Sequence, residues 1–128
     1  MPVEPIPTPS ATPVGPYSPA IRAGDWIICS GQIGIDPSTG QLIEDADSQS
    51  RQAFANVTAV LADCGCGWEQ VAKVTLFVGG NSQGSMPMIN EHYTQVLGEH
   101  RPARSTVGVE WLPLGALFEI EVWAHAPA

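Results

Sequence analysis

Basic residues are scarce in this chain: one lysine, Lys73, and four arginines stand against 13 acidic residues, for a net charge of −8. So few cations form no cluster able to neutralise a row of phosphates, which argues against nucleic acid and anionic membranes as partners. Long apolar runs are also missing. None approaches the roughly 18 residues that a membrane span needs, and the N-terminus has neither a basic leader region nor an apolar one, so a cytoplasmic protein is expected. Cysteine is sparse and odd in number. Cys29, Cys64 and Cys66 have no paired spacing, which argues against a disulfide framework. Cys64-Gly65-Cys66 lacks a second ligand pair, and His92 and His100 form no H-E-x-x-H motif, so no metal site is expected.

What is present is a core-forming chain. Of 128 residues, 44% are hydrophobic, enough for one domain without staples. Seven of the 12 prolines lie between residues 2 and 19, where missing amide donors preclude a helix. The expected organisation is a proline-rich arm over residues 1–14 and a single domain over 15–128. Ala20–Arg22 and Trp26–Ser30 flank the turn residues Ala23-Gly24-Asp25 and read as a hairpin. Asp45 or Asp47 can cap a helix ending near Asp63, with Phe54, Val57, Leu61 and Cys64 on its core stripe and Gln52, Asn56 and Asp63 turned to water. Val71–Val78 reads as a strand with Ala72, Val74, Leu76 and Val78 inward, broken at Gly79-Gly80-Asn81. A second helix spans Met86–Leu97 and stops at Gly98. Two alternating segments, 103–110 and 116–125, follow. The order ββαβαββ implies an α+β fold: a mixed sheet with two helices on one face.

Parity sorts the last two strands. Phe118, Ile120, Val122 and Ala124 point to the helices and Glu119, Glu121 and Trp123 away. The last two strands read as a closing antiparallel hairpin joined by the turn around Leu112-Pro113-Leu114-Gly115, which puts Thr106 opposite Glu119 and Arg104 opposite Glu121, so their polar faces coincide. That face, with Lys73, Thr75 and Phe77, is too apolar in part for plain solvent exposure and reads as a subunit interface. An Arg104–Glu121 cross-strand ion pair is the bland alternative role for Arg104.

The segments Gly15-Pro16-Tyr17-Ser18-Pro19-Ala20, Ser30-Gly31-Gln32-Ile33, Asn90 with Tyr93, Pro102-Ala103-Arg104-Ser105-Thr106, Leu112-Pro113 and Glu119-Ile120-Glu121 form one ordered pattern. It resembles the RidA (YjgF) family. The resemblance implies a chorismate-mutase-like fold, a homotrimer whose sheets build a central barrel, and clefts between neighbouring subunits. The implied activity is hydrolysis of reactive 2-imino or enamine acids, such as 2-aminoacrylate, 2-iminopropanoate and 2-iminobutanoate, to 2-oxo acids and ammonia, without a cofactor. Arg104 then anchors the substrate carboxylate, because a planar guanidinium matches it in two places and keeps its charge in a dry cleft. Glu119 positions water and relays a proton. By the same resemblance Tyr17 supplies a hydroxyl, Gly31 a backbone amide and Asn90 a bracing wall, while the backbone at Thr106 faces the substrate. Each also has an ordinary use: Tyr17 can pack, Gly31 can serve a turn and Asn90 can cap its helix.

The chain departs from the family pattern at three places. Thr106 stands where cysteine is common, so no role needing a thiol carries over. Pro19 replaces a common glutamine, and the segment 79–87 lacks the usual acidic and aromatic residues, which leaves substrate size open. A trimer that binds small carboxylates without turnover, as a regulatory protein, is the alternative function. A rival motif also exists. Gly80-Asn81-Ser82-Gln83-Gly84 matches the serine-hydrolase elbow, with Glu110 and His125 following in order, although that fold needs a larger parallel sheet than 128 residues supply.

Overall fold

A computed structural model describes residues 2–80 and 82–128. Its six-stranded sheet takes β1 (Glu4–Pro5), β2 (Ala20–Ala23), β3 (Trp26–Cys29), β6 (Val71–Gly79), β7 (Ala103–Val109) and β8 (Phe118–His125), in the spatial order β1-β2-β3-β8-β6-β7. A small separate ribbon pairs β4 (Ile35–Asp36) with β5 (Gln41–Leu42). Helices α1 (Ala46–Asp63) and α2 (Met86–Leu97) cover one sheet face. The anticipated α+β arrangement and mixed sheet are therefore present, with β1, β4 and β5 as short additions. Among the described residues no helix is long and apolar enough to cross a membrane.

Local chemistry accounts for the element ends. The Asp45 carboxylate caps α1 by accepting from the Ser48 amide at 2.9 Å, satisfying one of the helix's orphan donors. Pro87 lies in the first turn of α2, where its missing amide costs nothing, and Gly98 ends that helix at φ 62°. The predicted strand break holds at Gly80, whose φ is 58°; Asn81 lies outside the described residues. Between helices and sheet, Phe54 sits against Trp68, Tyr93 and Phe118 with ring centroids 6.3, 6.2 and 5.6 Å away. Burying a ring of this kind contributes about 2–3 kcal/mol, and Phe54 is the largest fully buried side chain.

Three expectations need correction. The last two strands do not form a hairpin. β7 pairs with β6 in parallel, Val74 opposite Arg104 and Leu76 opposite Thr106, while β8 lies between β3 and β6 and is antiparallel to both. The β6–α2–β7 crossover returns the chain parallel to β6, and the strand whose inward set is Phe118, Ile120, Val122 and Ala124 takes a central place; the polar β7 goes to the edge. The Arg104–Glu121 pair is thereby excluded within one chain, since Glu121 opposes Thr75. Second, a bulge between Val71 and Lys73 turns Ala72 outward and Val71 into the core. Third, Asn56 does not face water: its amide donates to the carbonyls of Ile33 and Ile35 at 3.0 and 2.9 Å, pinning the β4 segment to α1.

The proline-rich arm runs along the body. Glu4–Pro5 adds a strand to β2, and Ile6 and Ala11 pack against the main core.

Candidate functional site: two half-sites on opposite sheet faces

Register decides where each polar side chain goes. Arg104 and Thr106 share a face with Val74 and Leu76, the helix-covered face, whereas Glu119 and Glu121 pair with Phe77 and Thr75 on the open one. The expectation that Arg104 and Thr106 share a face with Glu119 is therefore wrong within one chain, because it rested on the β7–β8 hairpin. The six anticipated residues fall into two groups.

The first group lies at the β7 edge. There Arg104 is exposed but held: one guanidinium nitrogen donates to Asn90 Oδ1 at 2.9 Å, and its carbon sits 4.9 Å from the centre of the Tyr93 ring. Asn90 and Tyr93 are three residues apart on α2, so both reach the same side of the helix. Tyr93 is buried, and burial pushes its phenol above its ordinary pKa, partly offset by Arg104 and Arg101. The guanidinium therefore meets a neutral π face and an amide oxygen, with no carboxylate among these partners to compete for it. Thr106 and Gly108 line an adjoining cleft of about 430 Å³ with Val78, Gly80 and Met86. From sequence Tyr93 entered only as Asn90's companion in the family pattern and was given no role at the site; its three-residue offset from Asn90 was the available signal.

The second group surrounds Glu119 on the open face. Main-chain bonds between Gln32 and Ile120, 2.8 and 3.1 Å long, bring the Gly31 segment against β8. A Cβ on residue 31 would fall 2.6 Å from Glu119 Oε2, so glycine is required for the carboxylate to occupy its place. Tyr17, Pro19, Gln32, Ile33 and Pro113 close a narrow pocket of about 30 Å³, and Thr12, Pro13 and Val14 of the arm complete its wall. The Tyr17 hydroxyl accepts from the Val14 amide at 3.2 Å. Pro113 belongs to a turn in which Leu114 takes a left-handed backbone, φ 57°, a conformation costing about 1–2 kcal/mol. Glu119's carboxyl is held above its ordinary pKa, chiefly because the pocket strips it of water and secondly because Glu121 lies near. Such a group takes and releases a proton closer to neutrality than a solvated carboxylate.

The profile of the family described as endoribonuclease L-PSP matches residues 8–126. The chain belongs to this family, the YjgF/RidA family. A RutC family protein of Aquifex aeolicus is 43% identical over 122 residues, 93% of this chain and 96% of its own. The 2-iminobutanoate/2-iminopropanoate deaminase of Salmonella typhimurium is 37% identical over 114 residues, 87% of this chain and 88% of its own. Among solved structures, the Rid family protein YyfA of Yersinia pestis superposes with a TM-score of 0.90 at 40% identity, covering 97% of this chain and 99% of that one. This RidA-family chain thus shares its fold with relatives of differing names, some of them imine deaminases.

The serine-hydrolase motif does not assemble. Ser82 follows the C-terminal end of β6 while His125 lies on β8 beside that strand's start, edge-on to Trp26 with ring centroids 5.0 Å apart. The nine residues of β6 separate them by roughly 25 Å. Among the described residues no three His, Cys, Asp or Glu side chains gather as metal ligands would.

Proposed function

We propose that this protein hydrolyses 2-imino acids and their enamine tautomers to 2-oxo acids and ammonia, without a cofactor, at clefts between the subunits of a homotrimer. The observation that carries the reading is the separation of the half-sites: a braced, uncompensated guanidinium on one sheet face and a desolvated carboxylate on the other. Neither suffices alone. A neighbouring copy that lays its β7 edge against the open face would bring Arg104 of one chain to Glu119 of the next, and that open face has no helix of its own to cover Trp123.

In such a cleft Arg104 would clamp the substrate carboxylate, with Asn90 and Tyr93 holding the fork in plane and the backbone at Thr106 alongside. The iminium carbon is already electrophilic. Water held by Glu119 adds to it, its proton passes through the carboxylate to the nitrogen, and the C–N bond of the resulting carbinolamine breaks to release ammonia and the 2-oxo acid. Tyr17 and the Gly31 amide would order the water and substrate in the narrow pocket.

The test couples purified protein to an enzyme that makes 2-aminoacrylate from serine and follows imine loss and pyruvate formation. Decay faster than in buffer supports the deaminase; saturable binding of 2-oxobutyrate without turnover would leave a carboxylate-binding protein instead. Light scattering checks the trimer. The family description names a ribonuclease, but a net charge of −8 with a single lysine opposes RNA binding, so incubation with single-stranded RNA is expected to leave it intact.

A further inference from the structure

The arm that walls the Glu119 pocket is fastened at an unexpected place. Ser10 donates twice to Asp63 at the end of α1, its amide to Oδ2 and its hydroxyl to Oδ1, each at 2.9 Å. Asp63 is the last residue of α1, in a final turn with no basic side chain. An acid at the negative end of a helix dipole is unfavourable for the helix, so the helix itself gains nothing from this carboxylate. Its described side-chain hydrogen bonds go to the arm alone.

The clamp is mechanically connected to the site. Pro9 and Ser10 form the middle of a turn closed by the Ala11 amide on the Thr8 carbonyl at 3.1 Å, and only Ala11 and Thr12 separate Ser10 from Pro13. Thr12, Pro13 and Val14 then form one wall of the Glu119 pocket. Thr12 also lines a second, larger cavity of about 280 Å³ between the arm and the β4–β5 ribbon, bordered by Gln32, Ile35 and Asn56. The arm is therefore a partition between a pocket too small for more than a short side chain and a space that could admit a longer one.

We infer that Asp63, acting through Ser10, is a positioning residue that holds this partition and so limits the substrate side chain to small groups. The inference rests on the deaminase reading for its substrate, but not for its geometry. Asp63→Ala should increase hydrogen exchange over Ser10–Val14 at least tenfold and lower the ratio of kcat/KM for 2-iminopropanoate to that for the imine of leucine several-fold, through a lower KM for the larger substrate. Asp63→Asn, which keeps an acceptor for Ser10, should restore most of both. Global thermal stability should stay within a few degrees of wild type in both variants, because relief of the unfavourable dipole contact offsets the weakened Ser10 bonds. Unchanged exchange in Asp63→Ala overturns the clamp whatever the activity. Loosened exchange with an unchanged substrate ratio overturns the positioning role. If the wild type hydrolyses no imine, the deaminase reading falls separately, and the partition is judged by exchange and by the affinity for 2-oxobutyrate against 4-methyl-2-oxopentanoate, equal relative affinities in wild type and Asp63→Ala overturning it.

Discussion

The two half-sites differ in how they are built. Around Arg104 the support is a helix: two side chains one turn apart on α2 brace an exposed cation against water-accessible strand edge. Around Glu119 the support is loop and arm, a glycine without which the carboxylate would not fit and prolines that cannot rearrange cheaply. The cation half presents a planar donor held by side chains, and the carboxylate half a partly desolvated acid whose pKa is raised. Strand register puts them on different faces of the sheet, so one chain holds both groups without joining them.

The strongest way to break this comparison is to separate the halves genetically. Arg104→Ala and Glu119→Gln proteins should each lose at least a hundredfold in kcat/KM, yet co-refolding them in equal amounts should restore about a quarter of the interfaces with both groups intact. No recovery on mixing would place both roles in one chain and end the shared-cleft proposal. Glu119→Gln should also raise Tm at pH 7. A carboxyl whose folded pKa is raised leaves the fold most stable below its unfolded pKa and costs stability as pH climbs through the folded value, a cost the amide lacks.

Arg104→Lys probes the cation half alone. It keeps the charge but loses the two-pronged plane, so kcat/KM should fall ten- to a hundredfold, about 1.4 to 3 kcal/mol, in a protein of unchanged Tm. Gly31→Ala probes the other half: its methyl would displace the Glu119 carboxylate, and steady-state kinetics should show kcat down about tenfold with KM little changed. The smallest effect is expected for Glu121→Gln. Removing the neighbouring negative charge lets Glu119's pKa fall, so the acid limb of the kcat/KM profile should move to lower pH while the plateau stays within about twofold.

The helix boundaries were legible because capping and stripe residues act locally: Asp45, Gly98 and the Phe54 spacing need no knowledge of distant chain. The partners of β7 and β8 were not. Both segments alternate, and alternation says which residues share a face of one strand but not which strand lies beside it. Asn56 was misread for a related reason, since a polar residue on a helix faces water only if no stray carbonyls need it.

The sequence by itself determined the class of fold, the inner faces of β8 and, apart from the bulge at Ala72, of β6, and the chemistry available at Arg104 and Glu119, because side-chain period and functional-group identity are local properties; the inner face of β7 it did not, since that depended on which strand lies beside it. Only the tertiary structure decided that β6 lies between β7 and β8, and hence that the two groups point to opposite faces. Strand order is set by which strand the whole molecule can most usefully bury, and the crossover through α2 leaves the polar β7 no place but the edge.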